Sequence, residues 1–315
     1  MNPTPHPNTT TVAWIGLGTM GNPMAANLVA AGYSVVGVDL SDAARSKARS
    51  NGVRIVETNA EAVADADVVI TILPAAKHVR SVFDGEDGIW ANCKPGALLI
   101  DSSTVDIETS KWCHEGSREA GARFVDAPVS GGVPGATEGT LTAMLGGEPA
   151  DVADAAAVFT PMASRIIDTK GPANGIAAKI CNNMMLFSNL VAACEGAELA
   201  RQLGLDPKVF YDIATTSSGR SFPLEVWYPI PGVADSAPSN RGFAPDFPAI
   251  GALKDVNLAL DAGERTGVHL PAAELAAAQF QQLIDEDLGH NDCSLIIKYA
   301  SPDGEVEGFA SPASN

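Results

Sequence analysis

The amino-acid sequence predicts an α/β chain: a doubly wound parallel sheet, then a long helix, then an all-α C-terminal domain. Three observations carry that expectation. A short apolar run at 12–15 (VAWI) enters a glycine turn and a helix, and a second run at 33–38 then ends in Asp39. Short apolar runs and helical stretches go on alternating to about residue 170. Beyond a stretch at 171–204 that reads as one long helix, no clear strand remains.

The first unit is the most informative. Gly16-Leu17-Gly18-Thr19-Met20-Gly21 follows the first run, and the helix after it carries Met24, Leu28 and Val29 and stops at Gly32. In strand–turn–helix–strand order the three glycines serve in turn a tight turn, backbone approach to a pyrophosphate, and close packing of helix on strand. The helix N-terminus offers free N–H groups and a positive dipole end to phosphates. A lone glycine triplet is weak evidence, but with Asp39 at the end of the second strand the set reads as a dinucleotide site. A carboxylate there accepts from a ribose hydroxyl and repels a 2′-phosphate, and no arginine follows until Arg45. The cofactor expected is NAD rather than NADP.

The runs at 68–73 (VVITIL), 98–101 (LLID) and 124–127 (FVDA) read as further buried strands, with 140–145 and 165–167 closing the domain. Helical stretches at 42–50, 60–64, 77–83 and 107–120 lie between them. In such sheets ligands bind outside the carboxyl ends of the strands, so Leu73-Pro74, Ser102–Thr104 and Ser130-Gly131-Gly132 should gather on the cofactor side. The last trio reads either as an anion nest for a substrate carboxylate, with the Ser130 hydroxyl as a further donor, or as a simple glycine turn.

Pro172 and Asn174 are start signals for the long helix and Gly204 a stop. Ile176, Ile180, Met184, Phe187, Val191 and Cys194 recur at three- and four-residue steps, and Met185, Leu186, Leu190 and Leu199 widen that surface, so the helix is expected to be buried nearly all round. Lys179 and Asn183 stand four apart on one face of it. They are either a snorkelling lysine with its neighbour or a pair that meets a polar ligand between domains. None of the five histidines (His6, His78, His114, His269, His290) is well placed for proton transfer, which leaves Lys179 as the candidate acid/base. Lys254-Asp255 reads by itself as a surface ion pair. The long segment 217–248 is rich in Ser, Pro and Gly, and helices are expected at 207–215, 253–262 and 271–285.

Composition sets outer limits. Of 315 residues 46% are hydrophobic and 18% charged, and the formal net charge is −18. That charge disfavours nucleic acid and anionic membrane surfaces as partners. Five scattered cysteines without a C-x-x-C pair indicate neither a zinc site nor a disulfide framework and fit a reducing compartment. No metal site is expected. The first ten residues lack the basic and apolar regions of a signal peptide, and no apolar run reaches the ~18 residues of a membrane span, so a cytoplasmic location is expected.

Several motifs recur in order: GLGTMGNPMAANL at 16–28, ILP at 72–74, DSSTVD at 101–106, DAPVSGGVPGATEGTLTAMLGG at 126–147, AAKICNNM at 177–184, SSGR at 217–220, YPIPGV at 228–233 and LKD at 253–255. Together they make the chain resemble the β-hydroxyacid dehydrogenase family from about residue 12 to 283, and SSGR with YPIPGV points to its 3-hydroxyisobutyrate branch. The resemblance implies a Rossmann-type domain, an interdomain helix and an all-helical C-terminal domain. The boundaries expected are a disordered tail at 1–10, the NAD domain at 11–172, the helix at 173–204, the helical domain at 205–300 and a second disordered tail at 301–315.

By the same resemblance Lys179 matches the catalytic lysine and Asn183 the asparagine that helps place substrate. Ser130, Gly131 and Gly132 match the substrate-carboxylate loop, Leu73, Pro74 and Thr104 match cofactor contacts, and Lys254 matches the lysine beside the nicotinamide. The activity implied is NAD-dependent oxidation of 3-hydroxyisobutyrate to methylmalonate semialdehyde, a step of valine breakdown, by a homodimer or homotetramer. Alternatives are a related 3-hydroxy acid dehydrogenase, a semialdehyde or imine reductase on the same scaffold, and a non-catalytic NAD-binding protein, the last opposed by Lys179 and Asn183. The chain departs from the family where a Gly-Phe pair is expected before Lys-Asp: Phe247 has the spacing but follows Asp246, and Gly242-Phe243 falls early. Phe222 stands where tryptophan is expected.

Overall fold

A computed structural model describes residues 4–310. The chain divides into two compact units, the first ending at Lys179 and the second beginning at Ile180. The first unit opens with β1 (Thr11–Ile15), α1 (Gly21–Ala30), β2 (Ser34–Val38), α2 (Asp42–Ser50), β3 (Arg54–Ile55), α3 (Asn59–Val63) and β4 (Val68–Thr71). It continues through α4 (Ala76–Phe83), α5 (Ile89–Asn92), β5 (Leu98–Asp101), α6 (Ile107–Glu119) and β6 (Arg123–Asp126). β7 (Val129–Ser130), α7 (Gly132–Glu138), β8 (Leu141–Gly147), α8 (Pro149–Phe159) and β9 (Ala163–Asp168) complete it.

The strands lie in the order β3-β2-β1-β4-β5-β6-β8-β7, with β9 beside β8. β1, β4 and β5 are apolar almost throughout because both faces of the sheet are covered. The order reverses at β1, which pairs with both β2 and β4, and in sheets of this kind ligands bind at that point, outside the carboxyl ends of the strands. The sheet departs from the all-parallel expectation at one side: β8 runs antiparallel to β6 and to β7. Residues 131–140 between β7 and β8 fall short of the dozen or so that a parallel crossover needs, so the chain turns back instead.

α9 (Asn174–Gln202) begins in the first unit and runs on as the first helix of the second. α10 (Pro207–Thr216), α11 (Phe222–Val226), α12 (Ala249–Thr266) and α13 (Pro271–Asp285) follow, with 3-10 turns at Pro238–Arg241 and Cys293–Tyr299 and no strand among the described residues. Phe187, Leu190, Val191 and Cys194 of α9 pack with Trp227, Tyr228, Val256 and Phe280 in one core. α9 is nevertheless not buried all round: Met185 and Leu199 are 58% and 61% exposed. Its length and mean hydropathy of 1.2 would also suit a membrane span, but a helix with one face in a protein core meets the same test.

Segment 217–248 is ordered by its own polar groups. The Ser239 hydroxyl donates to Tyr228 O, and the Asn240 amide donates to Ala234 O and Asp235 O. The expected tails also differ where they are described. Asn8 N–H donates to Gly32 O, and Phe309 stacks edge-on against Phe243, so residues 4–10 and 301–310 are tied down by a backbone bond and a ring contact. Residues 1–3 and 311–315 lie outside the described residues.

Candidate functional site

The glycine turn after β1 is built for close backbone approach. Gly16 has φ +95°, and a Cβ there would sit 2.3 Å from Ile72 O; a Cβ on Gly21 would sit 2.0 Å from Gly16 O. Gly18, by contrast, faces open space. Around this turn, Trp14 Nε1–H donates to Gly16 O, and Asn22 Nδ2–H donates to Leu17 O and Ala44 O. Leu17, Gly18, Thr19 and Met20 lead into α1, whose N-terminus has no side-chain cap, so a phosphate could take its first N–H groups. The Asp39 carboxylate accepts from Leu17 N–H at 2.7 Å and from Ser41 N–H at 2.7 Å, which joins the glycine turn to the end of β2. The open face at Gly18, the uncapped helix and Asp39 fit a dinucleotide.

The loops after β4 and β5 are tied together. Leu73 N–H donates to Ser103 Oγ, whose hydroxyl donates to Asp101; the Thr71 hydroxyl donates to the same Asp101 oxygen at 2.6 Å. Burial pushes the Asp101 carboxyl up, with the neighbouring Asp126 adding to it against the hydrogen bonds from Ser103 and Thr71. Leu73, Pro74 and Thr104 thus follow the strand ends that the sequence indicated. Ser130 ends β7, and Gly131 and Gly132 take φ +134° and +62° as α7 begins without a side-chain cap. Donors at that point suit a carboxylate.

Lys179 is buried on α9, 8% exposed. The Asn174 start signal acts otherwise than expected: its amide donates back to Thr169 O and Lys170 O. The cap comes from Asp126 at the end of β6, whose carboxylate accepts from Ala173 N–H at 2.9 Å and Ile176 N–H at 2.8 Å. His114, to which the sequence assigns no role, lies 2.8 Å from the same carboxylate. The sequence signals for Asp126 are an acid inside the apolar run FVDA and its place at the head of the 126–147 motif.

In the second unit Asn183 is buried on α9 and its amide donates to Asp255 Oδ2 at 2.7 Å. Lys254 Nζ stands 2.8 Å from Asp255 Oδ1. Asp255 is 3% exposed, so the Lys-Asp step of α12 is not a surface ion pair: one buried carboxylate holds both an amide and an ammonium. Phe243 is fully buried against Phe309, whereas Phe247 is only partly buried and packs near Phe187 and Trp227. Phe222 is half exposed, and the tryptophan is found five positions on, at Trp227, edge-on to it.

Residues 11–171 match the family described as the NAD binding domain of 6-phosphogluconate dehydrogenase, and residues 173–300 match the NAD-binding family of NADP-dependent 3-hydroxyisobutyrate dehydrogenase. A probable 3-hydroxyisobutyrate dehydrogenase of Mycobacterium tuberculosis is 40% identical over 85% of this chain and 90% of its own. An NAD-dependent L-serine dehydrogenase of Pseudomonas aeruginosa is 36% identical over 92% of this chain and 98% of its own. A solved structure of the M. tuberculosis 3-hydroxyisobutyrate dehydrogenase with L-serine superimposes with a TM-score of 0.85 at 39% identity, over 92% of this chain and 98% of that one. With a nicotinamide dinucleotide as its cofactor, the chain belongs to the β-hydroxyacid dehydrogenase family, among the 3-hydroxyisobutyrate dehydrogenases and their relatives, and is an NAD-dependent hydroxyacid dehydrogenase.

Proposed function

We propose that the protein oxidises 3-hydroxyisobutyrate to methylmalonate semialdehyde with NAD, a step of valine breakdown, as a cytoplasmic homodimer or homotetramer. The observation that carries this reading is the buried Lys179 amine on α9, one helical turn before an Asn183 amide held by Asp255. When bound, the oxidised nicotinamide supplies the acceptor for the hydride that leaves the hydroxyl-bearing carbon. Lys179 Nζ, as the neutral amine, takes the hydroxyl proton as that carbon becomes a carbonyl, and returns it in the reverse direction. Asn183 spends one amide hydrogen on Asp255 and keeps the other for a substrate oxygen. By the family resemblance the Ser130 hydroxyl and the N–H groups at Gly131 and Gly132 are assigned to the substrate carboxylate, and Lys254, paired with Asp255, to the nicotinamide.

The preference for NAD over NADP rests on Asp39 and on Arg45. The first arginine after Asp39 is already paired with Asp42 and Glu57, so it is not spare for a 2′-phosphate. Exposed apolar side chains on and between α9 and α10, Met185, Leu199, Leu203, Leu205, Val209 and Ile213, support self-association. Five free cysteines support a reducing compartment.

L-serine is a second reading, favoured by the P. aeruginosa relative and by the L-serine in the M. tuberculosis structure. The test is NADH formation with 3-hydroxyisobutyrate, L-serine and 3-hydroxypropionate, each offered with NAD and with NADP. A higher kcat/KM for 3-hydroxyisobutyrate with NAD supports the proposal, and a higher value for L-serine replaces the substrate. Light scattering on the same preparation tests self-association, and a monomer at assay concentration removes it.

A further inference from the structure

The helix that carries Lys179 starts without a local cap. Its N-cap residue is Ala173 and its third residue is Ile176, and neither side chain can accept a hydrogen bond. In an ordinary capping box the first and fourth of these positions satisfy each other's N–H groups with their own side chains. Here a single carboxylate from another strand does both jobs: Asp126 Oδ1 accepts from Ala173 N–H and Oδ2 from Ile176 N–H, across 47 and 50 residues of sequence. His114 Nε2 lies 2.8 Å from Oδ1, and the Ala173 N–H that bonds Oδ1 also approaches Nε2 at 3.3 Å; with the carboxylate ionised, the tautomer protonated on Nε2 is the one that donates to Oδ1. Asp126 is 3% exposed, and the His114 side chain 14%.

The junction leaves no slack. A Cβ on Gly175 would lie 2.4 Å from Met144 O and 2.8 Å from Asp126 Oδ2, and one on Gly146 would lie 2.6 Å from both Asp126 Oδ1 and Gly175 N. Ala173 is held at φ +61°, a left-handed conformation that a residue with a Cβ keeps only where its surroundings fix it. Lys179 follows one turn after Ile176 on the same helix.

We infer that Asp126, fixed by His114, is a positioning residue for Lys179: a tertiary capping box that sets where α9 starts and hence where the lysine amine stands. The inference rests on Lys179 being the acid/base of the proposed reaction. Misplacing a reacting group by an ångström costs up to about a hundredfold in rate, so the pair acts on kcat without touching substrate.

The experiment compares Asp126→Asn, His114→Ala, His114→Gln and Lys179→Ala in the full chain, below the melting point of each. kcat is expressed per NAD-binding site, titrated in the same sample, so that unfolded protein drops out. Asp126→Asn sets an amide N–H against a backbone N–H, and His114→Ala removes the donor; each should lower kcat roughly 10–100-fold with NAD affinity changed less than about threefold. His114→Gln, which keeps a donor near the Nε2 position, should recover most of that loss. Lower melting points with kcat per site unchanged in Asp126→Asn and His114→Ala, while Lys179→Ala is inactive, would overturn the positioning role and leave the reaction assignment standing. A fully active Lys179→Ala would instead remove the assignment itself, and the inference with it.

Discussion

The dinucleotide turn of the first unit and the Asn183 pair of the second put their functional groups in place by different means. In the first, the dinucleotide turn works through backbone: Gly16, Gly18 and Gly21 matter for the side chains they lack, and they fall next to one another in sequence. In the second, the Asn183 amide is held by a carboxylate that comes from α12, 72 residues further along the chain. The contrast teaches that a site made of backbone geometry is local and readable, whereas one made of buried polar partners is assembled only by packing.

Four substitutions would sharpen or break that contrast, in falling order of effect. Gly21→Ala sets a Cβ 2.0 Å from Gly16 O, and the backbone must shift. A strain of about 3 kcal/mol, on the order of a hundredfold in NAD affinity, is expected by calorimetric titration. Unaltered affinity would show that the turn tolerates a side chain and is not shaped by glycine alone.

Asp255→Ala leaves a buried amide and an ammonium without their acceptor, so kcat/KM should fall about tenfold or more. The first unit's NAD site should be affected less than by Gly21→Ala. A larger loss of NAD affinity than of turnover would mean that Asp255 acts chiefly through Lys254 and not through Asn183.

Asp39→Ser removes the charge that opposes a 2′-phosphate and keeps a hydroxyl acceptor. The ratio of kcat/KM for NAD over NADP should drop about tenfold. A constant ratio would deny Asp39 its part in cofactor choice.

The smallest effect concerns pH. The Asp101 carboxyl is raised by burial, so between its ordinary value and its folded value the folded chain holds a proton that the unfolded chain has released. Stability from this group is fully present at the acid side and is lost as pH rises through the folded value. Melting points across the acid range should therefore show the native protein losing ground to Asp101→Asn as pH rises. Parallel curves would mean that Asp101 ionises alike in both states.

Several residues show where reading the sequence stops. The glycine turn and Asp39 stand out because spacing and residue type imply phosphate and ribose, whereas Lys179 and Asn183 show only as a polar pair on an apolar helix until the family resemblance implies their roles. Ser130, Gly131 and Gly132 are legible as a donor-rich turn, though not as the start of a seven-residue helix. His114 and Asp255 do not stand out. A histidine on a helix and a Lys-Asp step look like surface features until the partner is known, and both partners lie on other elements. The antiparallel β8 escapes for a related reason: its apolar run is the same whichever way the strand runs.

The sequence by itself determined the main strands and helices of the alternation, though not β3, β7, α5, α7 or α8, together with the glycine turn and the length of α9, because periodicity, turn chemistry and propensity act over a few residues. Only the tertiary structure decided that Asp126 caps α9, that Asp255 holds Asn183 and Lys254, and that α9 keeps Met185 and Leu199 exposed. Each depends on which distant groups share a buried space. A polar atom taken from water must find a partner wherever packing supplies one, however far along the chain that partner lies.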